Sequence, residues 1–381
     1  MTDNEGAGAA TSSQELGVME GKGFYNKHSR PQHSAVAFGL PLLERAVEAV
    51  PLPDPGEVFR IADYGVAGGH NSMEPVQTII EGIRRRASED LAVSVFHTDI
   101  ATNDFDSLFA LLSSPDSYLQ RTSDVFAYAA GESFYERLFP ASQVHIGWNA
   151  IAVHWLSRVP ATIPDHIWSN RAKGAVKEAF ARQSEQDWRS FLDHRGHELR
   201  PGGRLVVLGG ASDANGSSGA EGLLDMANAA LQEMVDGDML RAGEYERMVI
   251  PTYNRTLEEF EAPFSGLSVA SVLELESSSE ISLPDPFWPE YEHSRDARAF
   301  GADYAGFFRA AFGPSLFAAL DTDRSSQERN KITETFDASL QDKVAADPAT
   351  AKCAWRVALL LIAKKQPSAR QLFVLADMLK C

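Results

Sequence analysis

The stretch that most constrains the fold is RIADYGVAGGHNSMEPVQTII, residues 60–80. Its pattern predicts a short apolar strand, then a glycine-rich loop, then an amphipathic helix. Glycines in such a loop let a ligand or another backbone approach where a side chain would collide. A strand that leads through a loop into a helix is the first half of a βαβ unit, which requires a parallel sheet.

The same alternation recurs along the first half of the chain. Strands are predicted at 57–64, 91–99, 124–131, within 142–157, and at 202–210. Helices are predicted over about 34–50, 72–86, 103–112 with Asn103 as its cap, a short 133–139, and 173–199. Alternating strands and helices indicate a parallel sheet covered on both faces. The predicted fold class is therefore α/β, with a doubly wound, Rossmann-like sheet.

The second half of the sequence changes character. Residues 211–263 and 294–347 are mostly helical in pattern, and two further strands are predicted at 267–275 and 354–364. We expect a disordered tail over 1–18 and a single domain over 19–381. Within that domain, helical cap insertions are expected near 160–200, 211–263 and 285–347.

Composition narrows the class of function. The net charge is −18, with 53 acidic and 35 basic residues, so a nucleic-acid partner is not expected. No apolar run of about 18 residues predicts a membrane span, and the polar N-terminus does not resemble a signal peptide. The cytoplasm is the expected compartment. Two cysteines, Cys353 and Cys381, do not support a disulfide framework or a cysteine metal site. We expect Cys353 in the core and Cys381 as a terminal thiol.

The loop and the next strand suggest a nucleotide-like ligand that carries positive charge. Gly65, Gly68 and Gly69 follow the first strand, and Asp99 ends the second, where a carboxylate can accept hydrogen bonds from ribose hydroxyls. Ala67 stands where the dinucleotide fingerprint has its second glycine, which weakens an NAD interpretation. Asp63 at the strand end suits a cationic amino-acid moiety better than a pyrophosphate. S-adenosylmethionine meets these demands better than NAD or ATP, although an ordinary βα turn remains the alternative.

Several ordered motifs resemble the SABATH family of S-adenosylmethionine-dependent methyltransferases, which act on carboxylates of small acids or on ring nitrogens of purines. The motifs are MEGKGFYNKHSRPQ, IADYGVAGGHNS, VFHTDIATNDFDSLF, GESFYERLFP, VHWLSRVP, LRPGGRLVVL and IPTYNRTLEEF. They run from about residue 19 through most of the chain. The resemblance implies a class I methyltransferase sheet with a mostly helical cap, and a small carboxylic acid as substrate.

The resemblance also implies roles for individual residues. The cofactor would be held by Tyr25, Ser29, Asp63, Gly65, Asn71, Asp99, Ile100, Ser133 and Phe134. Gln32 and Trp155 would clamp the substrate carboxylate, and His154 would line the same pocket. Family members are often dimers, so a homodimer is expected. Some are reported to respond to magnesium, but no residue here can be assigned to a metal.

The sequence departs from the family pattern around the pocket. His28 replaces a usual Asn, Ala67 and His70 alter the loop, and Ile151 stands where many plant members have a Tyr. The run VHIGWNA also differs from the usual serine-rich segment. These departures leave the identity of the substrate open.

Methyl transfer to a carboxylate explains why no conventional catalytic set is found. The sequence has no G-x-S-x-G elbow and no H-E-x-x-H motif. A carboxylic acid with a pKa of roughly 4 is already ionised at neutral pH, so no general base is needed. Neutral donors such as Gln32 and Trp155 orient a carboxylate without stabilising its charge as strongly as an arginine would.

Other interpretations remain at this point. The function could be N-methylation of a purine-like heterocycle, nucleotide-dependent oxidoreduction, or ligand binding without turnover. Taken alone, Trp155 and His154 are typical of core packing. His97 is interpreted as structural, and Phe287 with Trp288 could cover the pocket.

Overall fold

A computed structural model describes residues 17–366 of the chain. Except for its last two residues, the predicted tail over 1–18 lies outside this range, and so does Cys381. Within the range, the strands are β1 (Phe59–Tyr64), β2 (Val93–Asp99), β3 (Val125–Gly131), β4 (Val144–Ala150), β5 (Leu199–Gly210), β6 (Leu273–Ser282) and β7 (Arg356–Lys364). The helices of the first half are α1 (Phe24–His28), α2 (Arg30–Ala49), α3 (Met73–Arg86), α4 (Phe105–Leu112) and α5 (Gly174–Glu198). Those of the second half are α6 (Glu221–Asp236), α7 (Ala242–Arg247), α8 (Leu257–Glu261), α9 (Leu267–Val272), α10 (Trp288–Ser294), α11 (Ala297–Phe317), α12 (Ser326–Ala346) and α13 (Pro348–Ala351).

The strands form one seven-stranded sheet in the order β3-β2-β1-β4-β5-β7-β6. The first five strands in this order are parallel, which confirms the predicted α/β sheet. The strand β7 runs antiparallel to both of its neighbours, β5 and β6, so the sheet is mixed rather than wholly parallel. The direction of winding reverses between β1 and β4, and ligands of open α/β sheets bind at this point, beyond the carboxyl ends of the strands.

Both faces of the sheet are buried. On one face α2 and α3 pack against β-strand residues such as Ile61, Val95 and Trp148. On the other face Trp188 and Phe191 of α5 pack against the strands. Coverage of both faces explains why the central strands β1, β4 and β7 are buried almost continuously, whereas the edge strands β3 and β6 alternate between more buried and exposed residues.

A third apolar cluster lies among the helices of the second half. It brings together side chains from α6, α11 and α12, including Leu231, Phe308 and Phe336. Residues 174–198 of the expected 160–200 insertion form α5 on the sheet, while α6, α11 and α12 share this separate core. The division into a sheet and a cap remains a proposal. No helix in residues 17–366 is both long and apolar enough to cross a membrane.

Three local predictions are wrong. Residues 133–139 form turns rather than a helix, because their backbone groups bond to side chains of α5, as described below. The cap of α4 is Asp104, whose carboxylate accepts from Ser107 N at 3.1 Å, rather than Asn103. Residues 267–275 begin as α9, and pairing with β7 starts only at Leu273.

Candidate active site

A cavity of about 280 Å³ opens beyond the carboxyl ends of β1, β2 and β4. It is lined by nine of the twelve residues that the sequence singled out, namely Tyr25, Gln32, Gly65, Asp99, Ile100, Ser133, Phe134, His154 and Trp155. The remaining three, Ser29, Asp63 and Asn71, lie behind the lining. The two sets of candidates thus converge on one cavity. The part lined by the expected cofactor residues is called here its cofactor end, and the part lined by Gln32, His154 and Trp155 its acceptor end.

Gly65 marks the switch point of the sheet. It follows β1 with φ of +85°, in the left-handed region where glycine is favoured. A Cβ atom at this position would lie 2.6 Å from Cβ of Ala152, which follows β4. Any side chain would therefore push the β1 loop away from β4, so glycine is required where the cavity begins.

Ala67 adopts a left-handed conformation in the same loop. Its φ is +47°, which costs an L-residue with a Cβ roughly 1–2 kcal/mol. Its amide donates to Asp99 Oδ2 at 2.7 Å, and its carbonyl accepts from Asn103 Nδ2 at 3.0 Å. Two residues after β2 thus hold the loop in shape, which explains how alanine is accommodated where the dinucleotide fingerprint has glycine.

Asp99 is a partly buried carboxylate held by backbone amides. Besides the bond from Ala67, its Oδ1 accepts from Ile100 N at 2.8 Å. Burial raises the pKa of Asp99 to about 6, since the two amide bonds only partly offset desolvation and the nearby Asp63 raises the pKa further. Tyr25 closes the cavity beside it, and burial together with the charge of Asp99 raises the pKa of its hydroxyl, which stays protonated.

The turn that carries Ser133 and Phe134 is fixed by a buried ion pair. Arg195 Nε and Glu198 Oε2 lie 2.8 Å apart at the end of α5, and neither side chain is exposed. Arg195 donates to the carbonyls of Phe134 and Glu136, at 2.8 and 2.9 Å. Glu198 accepts from the amides of Leu138 and Phe139, at 2.6 and 3.2 Å. The ion pair thus satisfies backbone carbonyls and amides of this turn that hydrogen bonds within a helix would otherwise satisfy.

The three cofactor candidates outside the lining still adjoin the site. Asn71 Nδ2 lies 3.4 Å from Ser29 Oγ, and Asn71 Oδ1 is buried without a partner among the described residues. Asp63 is the penultimate residue of β1 and is 2% exposed, with its Oδ2 bonded to His97 Nδ1 at 2.8 Å. His97 is buried.

Neutral polar groups stand at the other end of the cavity. Gln32 Oε1 and His154 Nδ1 are buried and have no partner among the described residues. Burial, with a smaller contribution from the charge of Arg255, lowers the pKa of His154 to about 3, so its imidazole is neutral at pH 7. The Trp155 ring lies 5.9 Å from His154 and is 9% exposed.

Tyr135 and Arg255, which are not among the twelve predicted site residues, hold the segment from Val153 to Trp155 in place. The hydroxyl of Tyr135 donates to the carbonyl of Trp155 at 2.5 Å. The buried guanidinium of Arg255 donates to the carbonyls of Val153 and Ser184, both at 2.6 Å. Its charge is thus engaged by backbone carbonyls behind the cavity.

An apolar wall completes this end of the cavity. Phe307, Ala311 and Phe312 present one face of α11, and Trp355 stands just before β7. The rings of Trp155 and Phe312 are 5.9 Å apart, so the wall continues directly from the polar groups. In the described residues, no group of three or more His, Cys, Asp or Glu side chains could hold a metal ion.

The sequence did not identify several residues that shape the cavity. Asn103, Asn26 and Arg255 hold loop backbone around the cavity, and Asn26 Nδ2 donates to Gly68 O at 3.0 Å. No short motif marks them, because each acts across a separation of 36 to 102 residues. The α11 residues of the wall were likewise missed, since a stripe of apolar residues on a helix predicts core packing equally well.

Comparison with known proteins agrees with this geometry. A family model described as "SAM dependent carboxyl methyltransferase" matches residues 13–361. Gibberellic acid methyltransferase 2 of Arabidopsis thaliana is 27% identical over 327 residues, 80% of this chain and 84% of the relative. Probable 7-methylxanthine methyltransferase 3 of Theobroma cacao is 31% identical over 265 residues, 64% of this chain and 71% of the relative.

A solved structure shows the same fold. Loganic acid methyltransferase, determined with S-adenosylhomocysteine, superimposes with a TM-score of 0.73 at 22% identity, over 92% of this chain and 99% of the other. The family model and the related sequences confirm the resemblance to SABATH methyltransferases, and the oxidoreductase interpretation is set aside. The chain belongs to the S-adenosylmethionine-dependent carboxyl methyltransferase family, and its reaction transfers a methyl group to a carboxylate.

Proposed function

We propose that the acceptor is the carboxylate of a small apolar or aromatic acid, held by Gln32, Trp155 and His154 and methylated to its ester. The observation that carries the proposal is the pair of buried, unpartnered neutral groups, Gln32 Oε1 and His154 Nδ1, beside an apolar wall. Buried polar atoms are normally hydrogen-bonded, so partnerless atoms that line a cavity point to a polar ligand there. Because the ends of a glutamine amide are assigned rather than observed, either end can face the carboxylate.

The neutrality of these groups suits the reaction. A carboxylate loses its negative charge as it accepts a methyl group, so a strong cation beside it would stabilise the starting anion more than the transition state. His154 stays neutral because its pKa is about 3, and Gln32 and Trp155 carry no charge at any pH. Three neutral groups can orient the anion without this penalty.

The nearby cations are already engaged. Arg356 is the one arginine in the described lining, and its guanidinium pairs with Asp213 at 3.2 Å and Glu280 at 2.5 Å. Arg255 is buried behind the segment and bonds to carbonyls. Neither arginine is left to form a strong ion pair with the acceptor.

The shape and chemistry of the wall support an apolar acid. Phe307, Ala311, Phe312 and Trp355 offer aromatic and aliphatic surface to the body of the substrate. Burying such surface contributes about 25 cal/mol per Å², which is enough to select apolar acids over polar ones. Enclosure by these residues also removes water from the carboxylate, which strengthens its nucleophilic character.

The residues at the opposite end fit S-adenosylmethionine. Two carboxylates, the buried Asp63 and the partly buried Asp99, lie there, and no Lys or Arg ion pair to either is found in residues 17–366. Asp99 would accept from the ribose hydroxyls, Asp63 would face the amino-acid moiety, and Phe134 with Ser133 would flank the adenine. Tyr25, Ser29, Gly65, Asn71 and Ile100 would complete the site. When bound, S-adenosylmethionine supplies a methyl group on a positively charged sulfur.

Two further expectations stay predictions, a cytoplasmic location and association into a homodimer. No residue is assigned to the magnesium ion to which some family members are reported to respond.

Methyl transfer to a mixed panel tests the proposal. The protein would be incubated with methyl-labelled S-adenosylmethionine and apolar acids, hydroxylated acids and xanthines, and the products identified by mass spectrometry. We expect labelled products from apolar or aromatic acids that lose the label in mild base, as esters do. Base-stable methylated xanthines alone would instead favour N-methylation, for which His154 could orient ring carbonyls. Trp155→Phe should lower kcat/KM about tenfold with little change in Tm, whereas Trp288→Phe, outside the cavity, should not affect kinetics.

A further inference from the structure

His97 and Asp63 lie side by side on neighbouring strands. The parallel register of β1 and β2 pairs these two residues directly. Their side chains meet at 2.8 Å, between Nδ1 of the imidazole and Oδ2 of the carboxylate, with exposures of 0% and 2%. The pair lies at the carboxyl ends of both strands, two residues before Gly65 and Asp99, which line the cavity. A polar pair this deeply buried requires nearly complete hydrogen bonding.

Tyr118 completes the pair from behind. It opens a short 3₁₀ turn, Tyr118–Gln120, and its hydroxyl lies 2.9 Å from His97 Nε2. Burial and the charge of Asp63 raise the pKa of this hydroxyl, so it keeps its proton. Among residues 17–366, the acceptor within hydrogen-bond distance of the Tyr118 hydroxyl is His97 Nε2. The arrangement is therefore satisfied when Tyr118 donates to Nε2 and Nδ1–H donates to Asp63, which leaves the imidazole neutral.

A neutral His97 leaves the negative charge of Asp63 uncompensated. One oxygen of the carboxylate, Oδ2, is fixed by His97, and no donor to Oδ1 is found among the described residues. No lysine or arginine of the described range forms an ion pair with it. A buried carboxylate without a cation is costly, and a positively charged ligand removes that cost.

We propose that His97, supported by Tyr118, is a positioning residue that holds the Asp63 carboxylate aligned for the ammonium group of the cofactor's amino-acid end. This inference rests on the cofactor placement proposed above. It gives His97 a role that its position in the middle of a strand pattern did not suggest. The same network would favour a cofactor with an intact amino-acid end over a fragment that lacks it.

Binding of two ligands separates this role from a structural one. S-adenosylhomocysteine carries the amino-acid end, whereas 5′-methylthioadenosine lacks it but keeps the adenine and the ribose. In calorimetric titrations, His97→Leu should weaken S-adenosylhomocysteine at least about tenfold, the effect of losing roughly 1.4 kcal/mol, and leave methylthioadenosine within twofold. Asp63→Asn should give the same pattern, and Tyr118→Phe a smaller version of it.

The double variant and a control sharpen the result. His97→Leu combined with Asp63→Asn should lose no more affinity than Asp63→Asn alone, because both act through one carboxylate. Tyr304→Phe removes another buried tyrosine hydroxyl, which bonds to Asp285 away from the cavity, and should not change the ratio of the two affinities. Equal weakening of both ligands by His97→Leu, or no weakening of either, would overturn the positioning role.

NMR spectroscopy of the wild-type protein tests the role of His97 without depending on whether the variants fold. In the wild-type protein labelled with ¹⁵N-histidine, His97 should show an unprotonated Nε2 and a protonated Nδ1. Its resonances should shift on adding S-adenosylhomocysteine more than on adding methylthioadenosine. An imidazolium spectrum would overturn the inference. If the wild-type protein bound neither compound, the cofactor placement itself would be wrong.

Discussion

The two ends of the cavity are built in opposite ways. The end with Asp63 and Asp99 carries negative charge, on residues at the carboxyl ends of the adjacent parallel strands β1 and β2. The end with Gln32, His154 and Trp155 is neutral, and its wall comes from α11 and the start of β7, more than 150 residues further along the chain than His154. The difference fits the ligands proposed for the two ends: a cation at one end and, at the other, an anion whose charge disappears during the reaction.

The two ends of the cavity also differ in whether main chain or side chains form their surface. At the acidic end, the loop at Gly65 and Ala67 brings main chain to the cavity, and Asp99 and Asn103 fix its shape. At the neutral end, side chains from several helices form the surface. We expect the main-chain surface of the acidic end to specify one ligand closely, and the side-chain surface of the neutral end to accept a different substrate after substitution of a few side chains.

The largest expected effect is at the acidic end. Asp99→Asn removes the charge and one acceptor oxygen, so affinity for S-adenosylhomocysteine should fall roughly 10- to 100-fold, as expected for a charge-assisted hydrogen bond of about 1.5–3 kcal/mol. Calorimetry measures this directly. Asp104→Asn is a matched control nearby, since Asp104 caps α4 and should affect stability rather than binding. Unchanged affinity in Asp99→Asn would remove the ribose assignment.

A charge introduced at the neutral end tests why that end is neutral. Gln32→Arg should bind the acid more tightly, lowering KM, while kcat falls about tenfold, because the cation stabilises the anion more than the transition state. Steady-state kinetics with the best acid of the panel gives both values. Gln32→Met, which removes the amide without adding charge, serves as the comparison and should raise KM. A Gln32→Arg variant with increased kcat would contradict the argument.

The ends should also differ in their response to pH. The pKa of Asp99 is about 6 in the free protein, with Asp63 and Tyr25 as its titratable neighbours, so cofactor affinity should fall as the pH drops below about 6 and the carboxylate is protonated. The decrease should approach tenfold for each pH unit. His154 has a pKa of about 3, so its charge should contribute no change between pH 5 and 8. Affinity independent of pH from 5 to 8 would show that Asp99 is not the controlling group.

The smallest effect is expected from the wall. Phe312→Leu should enlarge the cavity next to Trp155 and shift preference towards bulkier acids by a few-fold, with cofactor affinity unchanged. Competition between a small and a bulky acid measures the shift. Phe336→Leu, in the helical core but not in the cavity lining, controls for loss of stability. An unchanged preference would mean that Phe312 does not contact the substrate.

Sequence reasoning succeeded where the structure is local. The strand, loop and helix over 59–86 were predicted to within two residues at each boundary, because apolar periodicity and glycines mark them. Asp99 was found because parallel strands end at one edge of the sheet. The pocket roles of Gln32, His154 and Trp155 came from family resemblance, since nothing in their spacing distinguishes a ligand-binding tryptophan from a core one.

It failed where distant side chains replace local hydrogen bonds. Residues 133–139 have a helical pattern, yet Arg195 and Glu198 take up their backbone groups and hold them as turns. Asn103 looked like a helix cap but bonds to the carbonyl of Ala67. Such contacts depend on tertiary packing, which overrides local propensity.

Crossed titrations of two variants test the division of the cavity most directly. S-adenosylhomocysteine would be titrated into Asp99→Asn and Gln32→Met, and then an accepted acid into each protein saturated with S-adenosylhomocysteine. The account predicts that Asp99→Asn loses affinity for S-adenosylhomocysteine alone and that Gln32→Met loses affinity for the acid alone. Comparable loss of both ligands in either variant, with the fold intact, would contradict it.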